Sequence, residues 1–164
     1  MPDDLPIYSD STLRSGLQFA LGSTTLALSL EAQLAGGNLD SSEKFTLAGA
    51  NAVRAYPVGE QSGDEGVLAR VDWLVPLARI GGDPWRAWQG RVFADYGTAT
   101  INKDTWTGFV GDNSRDLAGA GVGLDWVQGA WRLDLAYAHR LGNEPATVYS
   151  DDQDQVWAQL AWQF

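Results

Sequence analysis

The stretch Val67-Leu68-Ala69-Arg70-Val71-Asp72-Trp73-Leu74-Val75-Pro76-Leu77 decides the fold. Val67, Ala69, Val71, Trp73 and Val75 are apolar, and Leu68, Arg70, Asp72 and Leu74 stand between them. A period of two belongs to an extended strand, whose side chains alternate between two faces. One face is continuously apolar and the other mixes apolar residues with charges. A strand of about 9–11 residues is long enough to cross a bilayer at a tilt.

The pattern recurs on both sides of this stretch. Upstream, it runs over Leu13–Leu21 and Thr25–Ala35, where Leu26, Leu28, Leu30, Ala32 and Leu34 share a face. Downstream, it runs over Ala87–Gly97, Leu117–Val127, Trp131–Leu141 and Val156–Phe164, which makes seven strands. The second face of these segments carries Arg91, Asp95, Gly119, Gly121, Gly123, Asp125, Arg132, Asp134 and Arg140. A soluble sandwich also alternates, with its apolar face turned inward. Charges and glycines on the second face suit a wet lumen better.

Composition narrows the choice. A net charge of −10 disfavours binding to a phosphate backbone, so no nucleic-acid partner is expected. With no cysteine there is no disulfide or thiolate site. No run of about 18 apolar residues exists, so no transmembrane helix is expected. The acidic start Met1-Pro2-Asp3-Asp4 is unlike an export signal, which would have to lie upstream. Eight tryptophans need a place for large amphipathic rings. Trp73, Trp85, Trp88, Trp126, Trp131, Trp157 and Trp162 lie near strand ends, where membrane barrels carry aromatic girdles.

The links between strands alternate in length. Gly22–Thr24, 78–86 and Gln128–Ala130 are the shorter ones; 36–66, 98–116 and 142–155 are long. Short periplasmic turns and long extracellular loops alternate in this way in outer-membrane barrels. Ser114 and Ser150 should then face the cell surface. Single-chain bacterial barrels have an even number of strands, from eight upward. Seven strands therefore suggest part of a larger barrel, or an eighth strand within residues 1 to 12. The last strand alternates to the final residue, with Leu160, Trp162 and Phe164 on one face. It resembles the terminal signal by which outer-membrane barrels are recognised for assembly.

The long link carries Glu43-Lys44-Phe45-Thr46-Leu47-Ala48-Gly49, then Val53-Arg54-Ala55-Tyr56, then Gly59-Glu60 and Gly63-Asp64-Glu65-Gly66. This resembles the sixth extracellular loop of two-partner secretion transporters (TpsB), of the haemolysin secretion/activation family within the BamA superfamily. Ala55 stands where the family has Gly, a residue that tolerates positive φ. Phe93-Ala94-Asp95-Tyr96-Gly97 is similar to the family's second motif, on the second strand after that loop.

The resemblance covers residues 1–164 in order and implies an all-β, antiparallel transmembrane β-barrel. The chain would be its C-terminal part, with the POTRA domains and N-terminal strands absent and loop 36–66 inserted into the lumen. It implies that Arg54 pairs with Asp95 and holds that loop. It implies a pore in the bacterial outer membrane that secretes a partner exoprotein, with no catalysis and no cofactor. The implied partners are the exoprotein, the assembly machinery reached through the terminal strand, and outer-membrane lipid. Two alternatives stand beside this: a BamA-type assembly factor, and a small ligand-binding β-barrel.

Enzyme motifs do not survive inspection. His139 is the sole histidine, and no nucleophile or metal-ligand spacing accompanies it. Gly119-x-Gly121-x-Gly123 has a strand's period, and no helix follows it. Asp151, Asp152 and Asp154 read as a solvated acidic loop rather than a calcium site.

Overall fold

A computed structural model describes residues 10–149 and 151–164. Ser150, the segment Met1–Asp4 and most of the region offered for an eighth strand lie outside the described residues. The elements are β1 (Asp10–Leu21), β2 (Thr24–Ala35), β3 (Phe45–Thr46), β4 (Ser62–Gly63), β5 (Glu65–Pro76), α1 (Ala78–Gly81), a 3₁₀ turn (Asp83–Trp85), β6 (Trp88–Thr100), β7 (Ser114–Gln128), β8 (Trp131–Leu141) and β9 (Asp154–Trp162).

Seven strands form one sheet in the order β1-β2-β5-β6-β7-β8-β9. Every neighbouring pair is antiparallel. All seven segments expected from the alternation are strands, with ends displaced by a few residues. The closing strand ends at Trp162, two residues short of the expected end. One further ladder bond follows, from the Gln163 N–H to the Ala130 carbonyl at 2.9 Å.

Two of the turns are tight. Gly22 and Gly129 each open a two-residue connection with φ of +66° and +59°. A hairpin turn of the II′ kind needs Gly at that first central position.

The sheet curls. A cavity of about 1080 Å³ is lined at once by Gly16 and Gln18 of β1 and by Gln159 and Ala161 of β9. The alternation assigns the two faces correctly. Leu17, Val71, Val92, Val122 and Leu160 point outward and are exposed. Leu68, Phe93, Leu117 and Ala138 point inward and are buried.

What buries them is the long link. Phe45, Leu47, Ala48, Ala52, Val53, Ala55 and Tyr56 join the inner-face residues in one apolar cluster. The largest fully buried side chains are Tyr56, Leu47, Leu117, Val53 and Asp64. The core of this fold is therefore a loop packed on the concave wall. An apolar outer face left exposed over most of a sheet is what a lipid-facing barrel wall requires.

The outer rings gather at the tight-turn end. Trp88 meets Trp126 at 6.0 Å, Trp131 meets Trp162 at 6.3 Å, and Trp162 meets Phe164 at 5.5 Å. The Trp73 indole N–H donates to the Thr24 hydroxyl at 3.1 Å. Trp157 does not belong to this girdle. It lies on the inward face of β9 and donates to a loop carbonyl.

Candidate functional site

The loop between β2 and β5 folds back on itself before it reaches the wall. β3 and β4 pair as a short antiparallel ladder, and Ala48 bridges Val53 in parallel. Leu47 N–H donates to the Gln61 carbonyl, and Val53 N–H to the Leu47 carbonyl, both at 3.0 Å. These bonds satisfy the backbone of a segment withdrawn from water. Periodicity gave no sign of this hairpin, because its strands are too short to alternate.

Val53, Arg54, Ala55 and Tyr56 form the tip, and all four are buried. Among the described residues no residue other than glycine has positive φ. Alanine at 55 therefore carries no backbone strain here.

Arg54 meets Asp95 through three bonds. Its Nε donates to Asp95 Oδ2 at 2.8 Å, its Nη2 to Oδ1 at 2.6 Å, and its backbone N–H to Oδ2 at 3.0 Å. The Nη1 atom turns to Asp72 Oδ1 at 2.7 Å. The guanidinium lies 3.6 Å from the centroid of Phe93, a cation–π contact. Burial alone would lower the Arg54 pKa, but the bonds to Asp95 and Asp72 outweigh it and raise it. The bidentate fork is a geometry an ammonium cannot reproduce.

Phe93, Asp95 and Gly97 sit two residues apart on β6, so all three face the loop. Phe93 supports the guanidinium, Asp95 neutralises it, and Gly97 leaves room. A Cβ at Gly97 would stand 2.5 Å from Leu47 Cδ1. Gly119, opposite Asp95 on β7, does the same for the tip: its Cβ would stand 2.4 Å from that of Ala55. The prediction is that Gly119→Leu expels the tip while leaving the strands paired. Protease cleavage within 50–56 should rise at least several-fold, with heat-modifiable mobility retained. Unchanged cleavage would show that the tip does not rest on this wall.

Two further posts hold the loop; both lie in the stretch that carries the resemblance, but the resemblance gives neither a role. The first is Glu60, whose side chain is fully buried. It accepts from Arg115 at 2.7 Å, from the Thr147 N–H at 2.8 Å, from the Thr147 hydroxyl at 2.9 Å and from the Val148 N–H at 3.0 Å. Burial would raise its pKa, but these donors outweigh it and hold the carboxyl below the usual range. Arg115 also donates to the Pro145 carbonyl. Tyr56 donates to the Glu144 carbonyl at 3.0 Å. The loop tip is thus tied to the link between β8 and β9.

The second post is Asp64, also fully buried. It pairs with Lys44 at 2.7 Å and accepts the N–H groups of Lys103 and Leu39 at 2.8 and 3.2 Å. Its pKa is lowered as well: burial opposes the shift, and Lys44, Lys103 and Leu39 together override it. Both acids follow glycines within the quoted loop stretch, and nothing in the sequence marks them as the buried carboxylates of an acidic chain. Asp72 and Trp157 complete the tip's polar surroundings; the Trp157 indole donates to the Arg54 carbonyl at 2.7 Å.

The other singled-out residues lie elsewhere. Leu160 and Trp162 are exposed on the outer face of the last strand, and Phe164 is exposed just beyond its end. His139 pairs with Asp154 at 2.8 Å on an exposed surface. Asp151 accepts from Arg140 at 2.7 Å. Among the described residues no group of three or more His, Asp and Glu side chains is arranged to hold a metal ion.

Comparison with curated proteins gave no match. Among solved structures, CdiB from Acinetobacter baumannii matches with a TM-score of 0.63 at 21% identity, over 94% of this chain. The chain spans 27% of the length of CdiB, about a quarter. The chain therefore shares its fold with about a quarter of that longer protein. The family model for the Omp85 superfamily domain matches residues 8–158, nearly the whole chain. The chain belongs to the Omp85 superfamily of outer-membrane β-barrel proteins.

Proposed function

We propose that this chain is the C-terminal part of an outer-membrane pore that secretes a partner exoprotein. The supporting observation is the loop held on the inner wall by Arg54, Asp95 and Asp72. An inserted loop narrows a lumen, and a polar clasp can be broken and remade without disturbing the wall. The inner face offers charges and small residues, which suit an extended polypeptide in transit. No chemistry on the substrate is required, since folding outside the cell can draw the chain through. In this reading 36–66, 98–116 and 142–155 face the cell surface, and the tight turns face the periplasm. Further strands and POTRA domains would be supplied by the rest of the parent protein.

The test is made on the full-length parent. Its deletion should remove one or a few large exoproteins from the culture medium and cell surface, and complementation should restore them. If the secreted set is unchanged while many outer-membrane barrels fall in abundance, an assembly factor is the correct reading instead.

The last strand belongs to the same proposal. Leu160, Trp162 and Phe164 lie exposed on a strand whose far edge has no partner among the described residues. Such an edge can pair with another strand, as barrel assembly requires. Phe164→Ala should lower the amount of assembled barrel by several-fold and leave the thermal stability of the assembled fraction unchanged. Wild-type levels of folded protein would contradict the assembly-signal role.

A further inference from the structure

The link between β5 and β6 differs from the two-residue turns at the same end. It builds α1 and the 3₁₀ turn, and it sets out Arg79, Ile80, Trp85 and Arg86. Ile80 is 78% exposed and Trp85 44% exposed. The Trp85 ring is laid against Gly81, where a Cβ would come within 2.2 Å of it. Its edge meets Trp88 at 6.2 Å, and Trp88 meets Trp126 at 6.0 Å. Trp88 and Trp126 belong to the outer girdle. The apolar side of this knob is therefore continuous with the lipid-facing surface.

Charge gives the second observation. Among the described residues Arg79 and Arg86 have no ion-pair partner; Arg70 and Arg132 have none either, but both line the inner cavity, whereas Arg79 and Arg86 are exposed on the knob. With Asp83 between them, the two guanidiniums leave the knob with a net charge of +1 in a chain whose net charge is −10. Indoles favour the headgroup level of a bilayer. An arginine lays its stem on apolar surface and turns its fork to the water side. There it can bind a phosphate with two bonds.

We propose that the Leu77–Ala87 knob is a headgroup clasp. Ile80 and Trp85 enter the interface of the adjoining leaflet, and Arg79 and Arg86 grip the phosphates of anionic phospholipid. The inference rests on the barrel's outer face lying in a membrane, as proposed above. It commits to lipid as the occupant because the knob continues the girdle and carries the opposite charge to the headgroup.

The chain has no cysteine, so single thiols can be placed at will. Full-length protein with Ile80→Cys, carrying an environment-sensitive dye, is reconstituted into phosphatidylcholine vesicles with and without phosphatidylglycerol. A dye at Val92→Cys, on the outer face of β6, reports the bilayer itself. Headgroup spin labels should quench the Ile80 dye, and more strongly with phosphatidylglycerol present. Arg79→Gln with Arg86→Gln should abolish that difference, a preference on the order of tenfold for two interfacial cations. Retained heat-modifiable mobility certifies folding. If acyl-chain labels quench the Val92 dye while the Ile80 dye is untouched, the clasp is wrong; shielding of the knob by an upstream periplasmic domain would give that result. Equal quenching in both vesicle types would overturn the anionic preference. If neither dye is quenched, the membrane reading of the barrel fails first.

Discussion

Arg54→Ala should cut exoprotein release by the full-length protein to a small fraction of the wild-type level, with the barrel still assembled. The substitution removes four side-chain and cation–π contacts at once: two to Asp95, one to Asp72 and one to Phe93. It leaves Asp95, which is only 3% exposed, without a cation. Removing one partner of a buried pair typically costs about 3–5 kcal/mol, because the other charge is stranded, and less where lumen water can reach it. Asp95→Ala should cost about as much, for the mirror reason. Arg54→Lys should restore only part of the activity, since one ammonium cannot serve both oxygens of Asp95 and also Asp72. Full activity in Arg54→Ala would separate the clasp from secretion.

Glu60→Ala should have the next largest effect, and it acts at a different place. Glu60 holds Arg115 and the Thr147 and Val148 N–H groups, so its loss removes the carboxylate beside Arg115, which keeps the Pro145 carbonyl, and frees two part-buried donors. A buried donor left unsatisfied costs about 1–3 kcal/mol, and less where water can take the place of the carboxylate, as it can at these two N–H groups. The loop should then detach from the β8–β9 link while Arg54 stays on Asp95. Limited proteolysis should show cleavage near 145–148 increasing several-fold. Glu60→Gln should fall between, because an amide oxygen still accepts but carries no charge.

The pH dependence has a definite sign. The Glu60 and Asp64 carboxyls are held below their ordinary range when the loop is docked. Their contribution is therefore fully present above the ordinary carboxylate pKa of about 4 and is lost as pH falls through the depressed values. Loop docking should be insensitive to pH near neutrality and weaken only in acid. Glu60→Gln should flatten that acid response.

The wall was legible in the sequence because a wall needs a long, regular signal. Val67 to Val75 alternates without interruption, and its outward residues are those expected. The site was legible only where it meets the wall. Phe93, Asp95 and Gly97 share one face by the period of the strand, and the face assignment follows from that alone. The rest of the loop obeys no period. Its hairpin of two-residue strands and the bridge from Ala48 to Val53 are too short to show a period, and the posts at Glu60 and Asp64 bond to residues as far as about 40 to 90 positions away. Trp157 shows the limit from the other side. Its place near a strand end put it with the girdle, while its position in the alternation turns it inward, and the alternation was the better guide.

The most direct measurement concerns the buried tip. Ala52 is 4% exposed, and its replacement by cysteine reports whether the loop is inside. On whole cells, Ser114→Cys at the start of β7, an end that the proposed orientation puts at the cell surface, supplies the reference. In the otherwise wild-type protein the Ala52 thiol should react with an impermeant reagent far more slowly than the Ser114 thiol. Arg54→Ala and Asp95→Ala should each accelerate it, and the double variant should react no faster than either single one, since the two residues form one contact. An Ala52 thiol that labels as fast as Ser114 in the wild-type background, or accelerations that multiply in the double variant, would contradict a loop locked to the lumen wall through Arg54 and Asp95.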